Sequence, residues 1–183
     1  LNGNIYVSGG YDASINILSS VLKYSPETNT WTEIKAMIEA RQDHEMVTLH
    51  GAIYAIGGFN KKTVERYSPL IDKWGYVEST KHTHAYAGAT VHQNKIYVLS
   101  DEGFEVFQPE LDTWKDLPTL AIGDRLQLVS INDRLLAVGV REKSNNYKTS
   151  KTVYEFDLKN NYWIHLPDMD AARHLFRAVV VNL

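Results

Sequence analysis

Charged residues recur at one distance from the tryptophans, and they are well suited to recognise a partner. The chain has 4 Trp residues, and the residue ten positions after each is Arg41, His84, Asp124 or Arg173, with Arg125 one position out of register. A guanidinium group is always charged and binds a carboxylate through two parallel hydrogen bonds. This column of residues therefore indicates carboxylate recognition by its arginines. The alternative is that these side chains pair within the fold.

Metal binding and catalysis have less support in the sequence. His82 and His84 would lie on one side of an extended segment, but a zinc site needs three or four ligands, and the chain has 0 Cys. The lack of Cys also excludes a thiolate nucleophile and a disulfide framework. Neither a Gly-x-Ser-x-Gly motif nor a glycine-rich phosphate loop occurs. We therefore predict a binding protein, not an enzyme, with no cofactor, no metal and no catalytic residue.

Composition narrows the class of partner. The chain has 183 residues, enough for a hydrophobic core, with a formal net charge of -3 and a pI of about 6.2. No basic patch is present to attract nucleic acid or a membrane surface, and no apolar run approaches the roughly 18 residues of a membrane span. No signal peptide is recognisable. We expect a cytoplasmic protein with a protein partner and, because the chain opens inside a motif, a piece of something longer.

An eight-residue segment repeated four times organises the chain. Two close copies are YSPETNTW at 24–31 and YSPLIDKW at 67–74, and two looser copies are FQPELDTW at 107–114 and FDLKNNYW at 156–163. Successive Trp residues are 43, 40 and 49 positions apart, a period typical of a propeller blade or a pair of helices. All four Trp residues occupy the same repeat position. This predicts core packing, because a ligand site does not need one Trp per unit.

The local pattern favours strands over helices. Short apolar runs such as 53–56 follow a tight polar turn and a second apolar run, which is a β-hairpin signal. The repeated segment is another hairpin, because an Asn or Asp stands two residues before each Trp and tolerates the left-handed backbone of a tight turn. Each unit therefore has four strands, a to d. The b–c loop varies in length while the a–b and c–d turns do not, and variable loops on a fixed scaffold commonly carry binding.

The b–c loops supply a second group of candidate partner-binding residues. Its members are Tyr11, Asp12, Asn60, Lys61, Lys62, Glu102 and Arg141. The fourth b–c loop, REKSNNYKTSK at 141–151, is long, polar and mildly basic. Its composition favours a mobile, solvated loop, and a partner-specific arm is the alternative.

The glycine pairs that end two strands, together with the repeated segment, resemble the kelch repeat. The motifs are IYVSGG at 5–10 and IYAIGG at 53–58, each followed by a Tyr-x6-Trp segment, whereas the last two units lack the glycine pair. The resemblance is greatest to the BTB–kelch family and implies an all-β propeller of four-stranded antiparallel blades. About four blades are present, in units of approximately 1–40, 41–83, 84–123 and 124–172, followed by a leading strand at 173–183. We expect them to belong to a six-bladed ring, and a ring closed by 173–183 is the alternative.

The resemblance also implies a function. In BTB–kelch proteins an upstream domain binds a cullin, and the propeller holds the substrate for ubiquitylation. The partner-binding surface of the family is usually the end formed by the b–c loops and the connections between blades. For this chain the resemblance implies a protein-interaction module that reaches a cullin only through a domain outside these residues. An actin-binding cytoskeletal kelch protein is the first alternative, and a propeller enzyme is the second.

Overall fold

The computed structural model describes residues 1–120, 126–139, 150–173 and 178, and these residues form strands, turns and loops. Their fifteen strands make four antiparallel sheets, called blades 1 to 4 here. Blade 1 contains β1 (Ile5–Ser8), β2 (Val21–Ser25) and β3 (Thr30–Ile34), and blade 2 contains β4 (Glu45–Leu49), β5 (Ala52–Ile56), β6 (Val64–Ser68) and β7 (Lys73–Val77). Blade 3 contains β8 (Gly88–His92), β9 (Lys95–Leu99), β10 (Phe104–Gln108) and β11 (Thr113–Leu117), and blade 4 contains β12 (Gln127–Ile131), β13 (Arg134–Val138), β14 (Val153–Asp157) and β15 (Tyr162–Leu166). No helix in the described ranges is long and apolar enough to cross a membrane.

Tight turns determine the order of the strands. Within each blade every strand pairs with the next one in sequence. The a–b turn of blade 2 is His50-Gly51, and both residues have positive φ, at 48° and 72°, as a type I′ hairpin turn requires. The predicted left-handed residue of each c–d turn has φ between 45° and 62° at Asn29, Asp72, Asp112 and Asn161. The predicted hairpins, and with them the all-β propeller fold, are confirmed.

Apolar side chains pack mainly between neighbouring blades. Val21 of blade 1 and Met37 after it pack with Ile53, Ala55 and Trp74 of blade 2. Similar clusters join blade 2 to blade 3 and blade 3 to blade 4. All five residues of β5 are buried, because blades on both sides cover its two faces. A strand covered on both faces has a continuous apolar sequence, unlike the alternating sequence of a half-exposed one.

The c–d hairpins of blades 2, 3 and 4 also contact the backbone at the end of the preceding blade. The indole nitrogen of Trp74 donates to the carbonyl oxygen of Lys35 at 2.8 Å, while the amide of Lys35 donates to Asp72 Oδ1 at 3.1 Å. Blade 3 repeats both contacts with Glu78, which pairs with Trp114 and Asp112 at 2.9 and 3.0 Å. One backbone residue is thus held at both of its polar groups. This two-point contact explains why Asp and Trp recur together.

Trp31 differs from the other three tryptophans. Trp74 and Trp114 are buried and Trp163 is partly buried, but Trp31 is 52% exposed. The prediction that all four Trp residues lie in the core is therefore wrong for Trp31. The other three pack on the blade that precedes them, and no described residue forms a blade before blade 1.

Two predicted features concern the first and last strands of the chain. Among the described residues, blade 1 contains strands b, c and d and no strand a. Arg173, the first residue of the predicted leading strand at 173–183, exchanges backbone hydrogen bonds with Ser150 at 2.9 and 3.4 Å. Of the remaining residues of that strand, 174–177 and 179–183 lie outside the described residues.

Candidate binding face

The b–c loops and the connections between blades form one surface, called the loop face here. The amide of Gly10 donates to the carbonyl oxygen of Arg41 at 2.8 Å, and the amide of Phe59 donates to that of Gln42 at 3.0 Å. The glycines make this approach possible. A Cβ at Gly9 would lie 2.2 Å from the carbonyl oxygen of Arg41, and the φ of Gly9 is +60°. The described part of the loop face consists of residues 9–20, 35–44, 57–63, 78–87, 100–103, 118–120, 126, 139, 150–152 and 167–173.

Arg41 lies inside the protein beneath the loop face. Its side chain is fully buried, and its Nε and Nη2 donate to Glu65 Oε1 at 3.1 and 3.0 Å. Nη1 donates to the carbonyl oxygens of Gly57 and Thr63 at 2.6 and 2.8 Å, and Nη2 also donates to Thr63 Oγ1 at 2.8 Å. The guanidinium group is therefore used within blade 2. The prediction that Arg41 contacts a partner is wrong, because an acid of the same blade takes the place of the partner's carboxylate.

His84 occupies the equivalent position in blade 3. It is fully buried, with Nε2 at 2.8 Å from Glu105 Oε2 and Nδ1 at 2.9 Å from Ser100 Oγ. Burial alone raises the pKa of Glu105, but the hydrogen bond from His84 and those from the amides of Lys81 and His82 outweigh it and lower the pKa. The prediction that His84 contacts a partner is wrong for the same reason as for Arg41.

The buried acids are the residues that the sequence reasoning missed. Glu65 and Glu105 are both fully buried, and each stands two residues before the aromatic residue of its c–d hairpin. Each carboxylate also accepts two backbone amides of the preceding connection, from Ile38 and Glu39 in one case. The repeat carries a signal for this pairing, because an acid stands at this place only in the two units whose column residue is Arg41 or His84.

The remaining column residues lie at the ends of the described ranges or outside them. Arg173 is exposed, with its backbone paired to Ser150. Its predicted role in carboxylate binding stays a prediction. Arg125 lies outside the described residues, as do Asp124 and Arg141. The same holds for all of the fourth b–c loop before Ser150.

The candidates in the first b–c loop are exposed. Tyr11 is half-exposed and forms an isolated antiparallel bridge with Ile17. Asp12 closes the loop, because its carboxylate accepts the amides of Ser14 and Asn16 at 2.8 Å each and the side-chain amide of Asn16 at 2.9 Å. The hydrogen bonds from Asn16 and Ser14 lower the pKa of Asp12. Asp12 therefore shapes the loop.

Both lysine candidates of the second b–c loop are bonded within the protein, although Lys62 is also exposed. Lys61 forms an ion pair with Glu39, and Lys62 Nζ donates to the carbonyl oxygen of Lys81 at 2.6 Å. Burial alone raises the pKa of Glu39, but hydrogen bonds, that from Lys61 the largest, lower it to about 2. Asn60, at φ 56°, and Glu102 are exposed.

Several exposed apolar residues of the loop face were not among the predicted contacts. Phe59 is half-exposed, and it follows Gly57-Gly58 as Tyr11 follows Gly9-Gly10. Ile15 and Ile17 of the first loop are also exposed. Aligning the two glycine pairs would have identified Phe59 as the counterpart of Tyr11.

The two closely spaced histidines do not act together. His82 Nε2 lies 3.1 Å from Asp116 Oδ1, whereas His84 contacts Glu105 and Ser100. Within the ranges that the structure describes, no group of three His, Asp or Glu side chains is placed to hold a metal ion.

Comparison with known families agrees with this geometry. The family model of the kelch motif matches residues 1–38, and the family model described as KIB1-4 beta-propeller matches residues 58–179. The chain belongs to the kelch-type β-propellers. Propellers of this family are in general protein-binding domains.

Several relatives of this kelch propeller are kelch-like proteins. Kelch-like protein 23 of Pongo abelii is 38% identical over 199 aligned residues that cover 100% of the chain and 34% of that protein. Kelch-like protein 35 of Mus musculus is 30% identical over 152 residues, covering 76% of the chain and 26% of that protein. Kelch repeat and BTB domain-containing protein 8 of Rattus norvegicus is 27% identical over 182 residues, covering 91% of the chain and 32% of that protein. The chain spans about a third or less of the length of these relatives.

Proposed function

We propose that this kelch propeller is the substrate-recognition domain of a BTB–kelch adaptor for a cullin-RING ubiquitin ligase in the cytoplasm. The observation that carries the proposal is the 38% identity to kelch-like protein 23 over the whole chain. A second relative has a BTB domain in its name. The substrate binds at the loop face, and the cullin binds a domain outside these residues.

The construction of the loop face supports a role in protein binding. Buried networks around Arg41 and His84 hold the connections between blades in place. Exposed side chains of the b–c loops then stand on a preorganised base, which reduces the ordering that a partner must impose. Loops on a rigid scaffold are the usual carriers of specificity.

Affinity purification with mass spectrometry tests the proposal. The full-length protein is compared with a variant that lacks residues 1–183, and both are expressed at the same level. We expect cullin subunits with both forms and at least one further protein with the full-length form alone. The abundance of that further protein should rise when cullin activation is inhibited.

Two other results would contradict the adaptor function. Absence of cullin from both purifications would remove the ligase from the proposal. Enrichment of actin by residues 1–183 without cullin would favour a cytoskeletal kelch protein. Sedimentation of the full-length protein with actin filaments would then confirm direct binding.

A further inference from the structure

The first b–c loop projects from the loop face as a short hairpin. Tyr11 and Ile17 pair as an antiparallel bridge, and the amide of Leu18 donates to the carbonyl oxygen of Gly10 at 3.0 Å. The amide of Arg41 in turn donates to the carbonyl oxygen of Leu18 at 3.0 Å, which joins the hairpin to the connection beneath it. The hairpin is therefore attached to Arg41, the residue whose side chain forms the buried network.

Ile15 stands at this tip in a strained backbone conformation. Its φ is +65°, which is rare for a β-branched residue and normally suits Gly or Asn. The Asp12 carboxylate holds the turn through the amides on either side of Ile15, those of Ser14 and Asn16. Yet the Ile15 side chain is 77% exposed. The aliphatic group therefore contributes little to the stability of the fold, and a glycine would serve the turn as well. Backbone strain of this kind is often found where a residue serves binding.

Other exposed apolar side chains lie in the same loop and in the equivalent loop of the adjacent blade. Paired residues of an antiparallel bridge place their side chains on the same face, so Tyr11 and Ile17 lie side by side. The amide of Phe59 donates to the carbonyl oxygen of Gln42. The first loop is hydrogen-bonded to the backbone of Arg41, the residue just before Gln42. The two aromatic residues thus approach one short connection from two adjacent blades. Tyr11, Ile15, Ile17 and Phe59 are called the apolar loop cluster here.

Three charged side chains of these loops and of the connection beneath them are bonded within the protein. Asp12 closes its own turn, Lys61 pairs with Glu39, and Arg41 is buried against Glu65. A partner that reaches this part of the loop face therefore meets aromatic and aliphatic groups. Clusters of exposed apolar residues rimmed by polar ones are typical of protein-interaction sites.

We propose that the apolar loop cluster binds a short protein segment through that segment's aliphatic or aromatic side chains, with Ile15 inserted into its contact surface as an anchor. The proposal rests on the proposed function of the loop face as a protein-binding surface. It differs from carboxylate recognition by arginine in the chemistry of the ligand. Binding should therefore depend little on salt, because exposed charge pairs contribute little to it.

A random 12-residue peptide library displayed on phage and panned on the immobilised full-length protein provides the probe. We expect the selected peptides to be enriched in aliphatic and aromatic residues. Synthetic versions should bind Ile15→Asn at least about tenfold more weakly, as for an interface anchor. Because Asn tolerates positive φ, this variant should keep or raise the melting temperature. Leu70→Asn is the matched control, since Leu70 is 97% exposed in a c–d turn.

Several results would overturn the proposal. These are selection of acidic peptides, equal binding by the Ile15→Asn and wild-type proteins, or equal weakening by Leu70→Asn. Sedimentation of the protein alone that shows Ile15-dependent self-association would assign the cluster to a second copy. Ile15-dependent binding to phosphatidylcholine vesicles would assign it to a lipid surface.

The two proposals fail in different measurements. Recovery of cullin subunits should be unchanged by Ile15→Asn, because the cullin binds elsewhere. Cullin recovery without Ile15-dependent peptide binding contradicts only the apolar cluster. Ile15-dependent peptide binding without cullin recovery contradicts only the adaptor function.

Discussion

At the residue scale, a network of buried polar groups lies beneath the loop face. Arg41 and Glu65 are both fully buried and lie 3.0 Å apart. A buried charge is tolerated only where hydrogen bonds replace its hydration, and here Thr63, Gly57 and two backbone amides complete the set. Removing one partner leaves the other charge buried without compensation.

Arg41→Ala should lower the free energy of unfolding by about 3–5 kcal/mol, the usual cost of breaking a buried ion pair. Urea denaturation measures this change. Arg134→Ala is the control, because Arg134 and Glu155 form a more exposed pair at 2.7 Å and exposed pairs contribute at most about 1 kcal/mol. Equal costs for the two variants would contradict the buried network.

His44 should make stability depend on pH. Burial, with a smaller effect of the Arg41 charge, lowers the pKa of His44 to about 4, whereas an unfolded His titrates near pH 6.5. Between these values the unfolded chain binds a proton that the folded chain does not. The free energy of unfolding should therefore fall by up to about 2 kcal/mol from pH 7 to pH 5.

Urea denaturation at both pH values tests this prediction with a pair of variants. His44→Gln should reduce the pH dependence over this range. The matched control is His50→Asn, at an exposed turn position that also tolerates Asn, and it should leave the dependence unchanged. A wild-type protein as stable at pH 5 as at pH 7 would show that His44 is not buried in its neutral form.

The sequence predicts that Arg41 and His84 occupy equivalent positions, but not whether their side chains face a partner or the interior of the blade. Spacing from Trp identifies equivalent positions, and an arginine at such a position suits both a partner's carboxylate and an internal one. The outcome depends on Glu65 and Glu105, about twenty residues further on, which the fold brings within 3.0 and 2.8 Å. The exposure of Ile15, Ile17 and Phe59 likewise depends on the conformation of the b–c loops, which spacing in the sequence does not predict.

At the element scale, the c–d hairpin both closes its own blade and contacts the preceding one. The turn residue and the Trp lie two positions apart, so Asp72 and Trp74 bond to the amide and carbonyl of the same residue, Lys35. The hairpins follow from local turn chemistry, which is why the sequence predicts them. Burial of the Trp rings depends on the neighbouring blade, which is why Trp31 departs from the prediction.

Trp74→Ala should lower the free energy of unfolding by about 3–5 kcal/mol, because it removes a buried indole and leaves a cavity. Trp31→Ala should cost only about 1 kcal/mol, since the ring is half-exposed and its main contact is with Tyr24 across the strand pair. Chemical denaturation of the two variants measures both values. Comparable losses would show that Trp31 is covered by another part of the protein.

At the scale of the whole molecule, blade 1 presents an uncovered apolar face. Ile5, Val7, Leu22 and Trp31 are all exposed, and their cross-strand register places them on one side of the sheet. The equivalent side of blade 2 carries Ile53, Ala55 and Trp74, which are buried against blade 1. Strand β1 is also an edge strand in the described sheet, and exposed apolar edges promote association.

The 183-residue chain in isolation should therefore self-associate. Analytical ultracentrifugation over a range of concentrations should show species larger than the monomer. Val7→Lys places a charge on the exposed edge strand and should shift the distribution towards monomer. Leu111→Lys, at an exposed c–d turn of blade 3, should not. A wild-type chain that is monomeric at every concentration would mean that this face is covered.

The hydrogen bonds of the indoles have a consequence for synthesis on the ribosome. Each donor follows its acceptor by 39, 36 or 45 residues, in the pairs Trp74–Lys35, Trp114–Glu78 and Trp163–Pro118. At roughly 5–20 residues per second of translation, each delay lasts about 2–9 s. A newly made blade must therefore wait for part of its successor before this contact can form. During that interval its outer surface is open to chaperones and to other nascent chains.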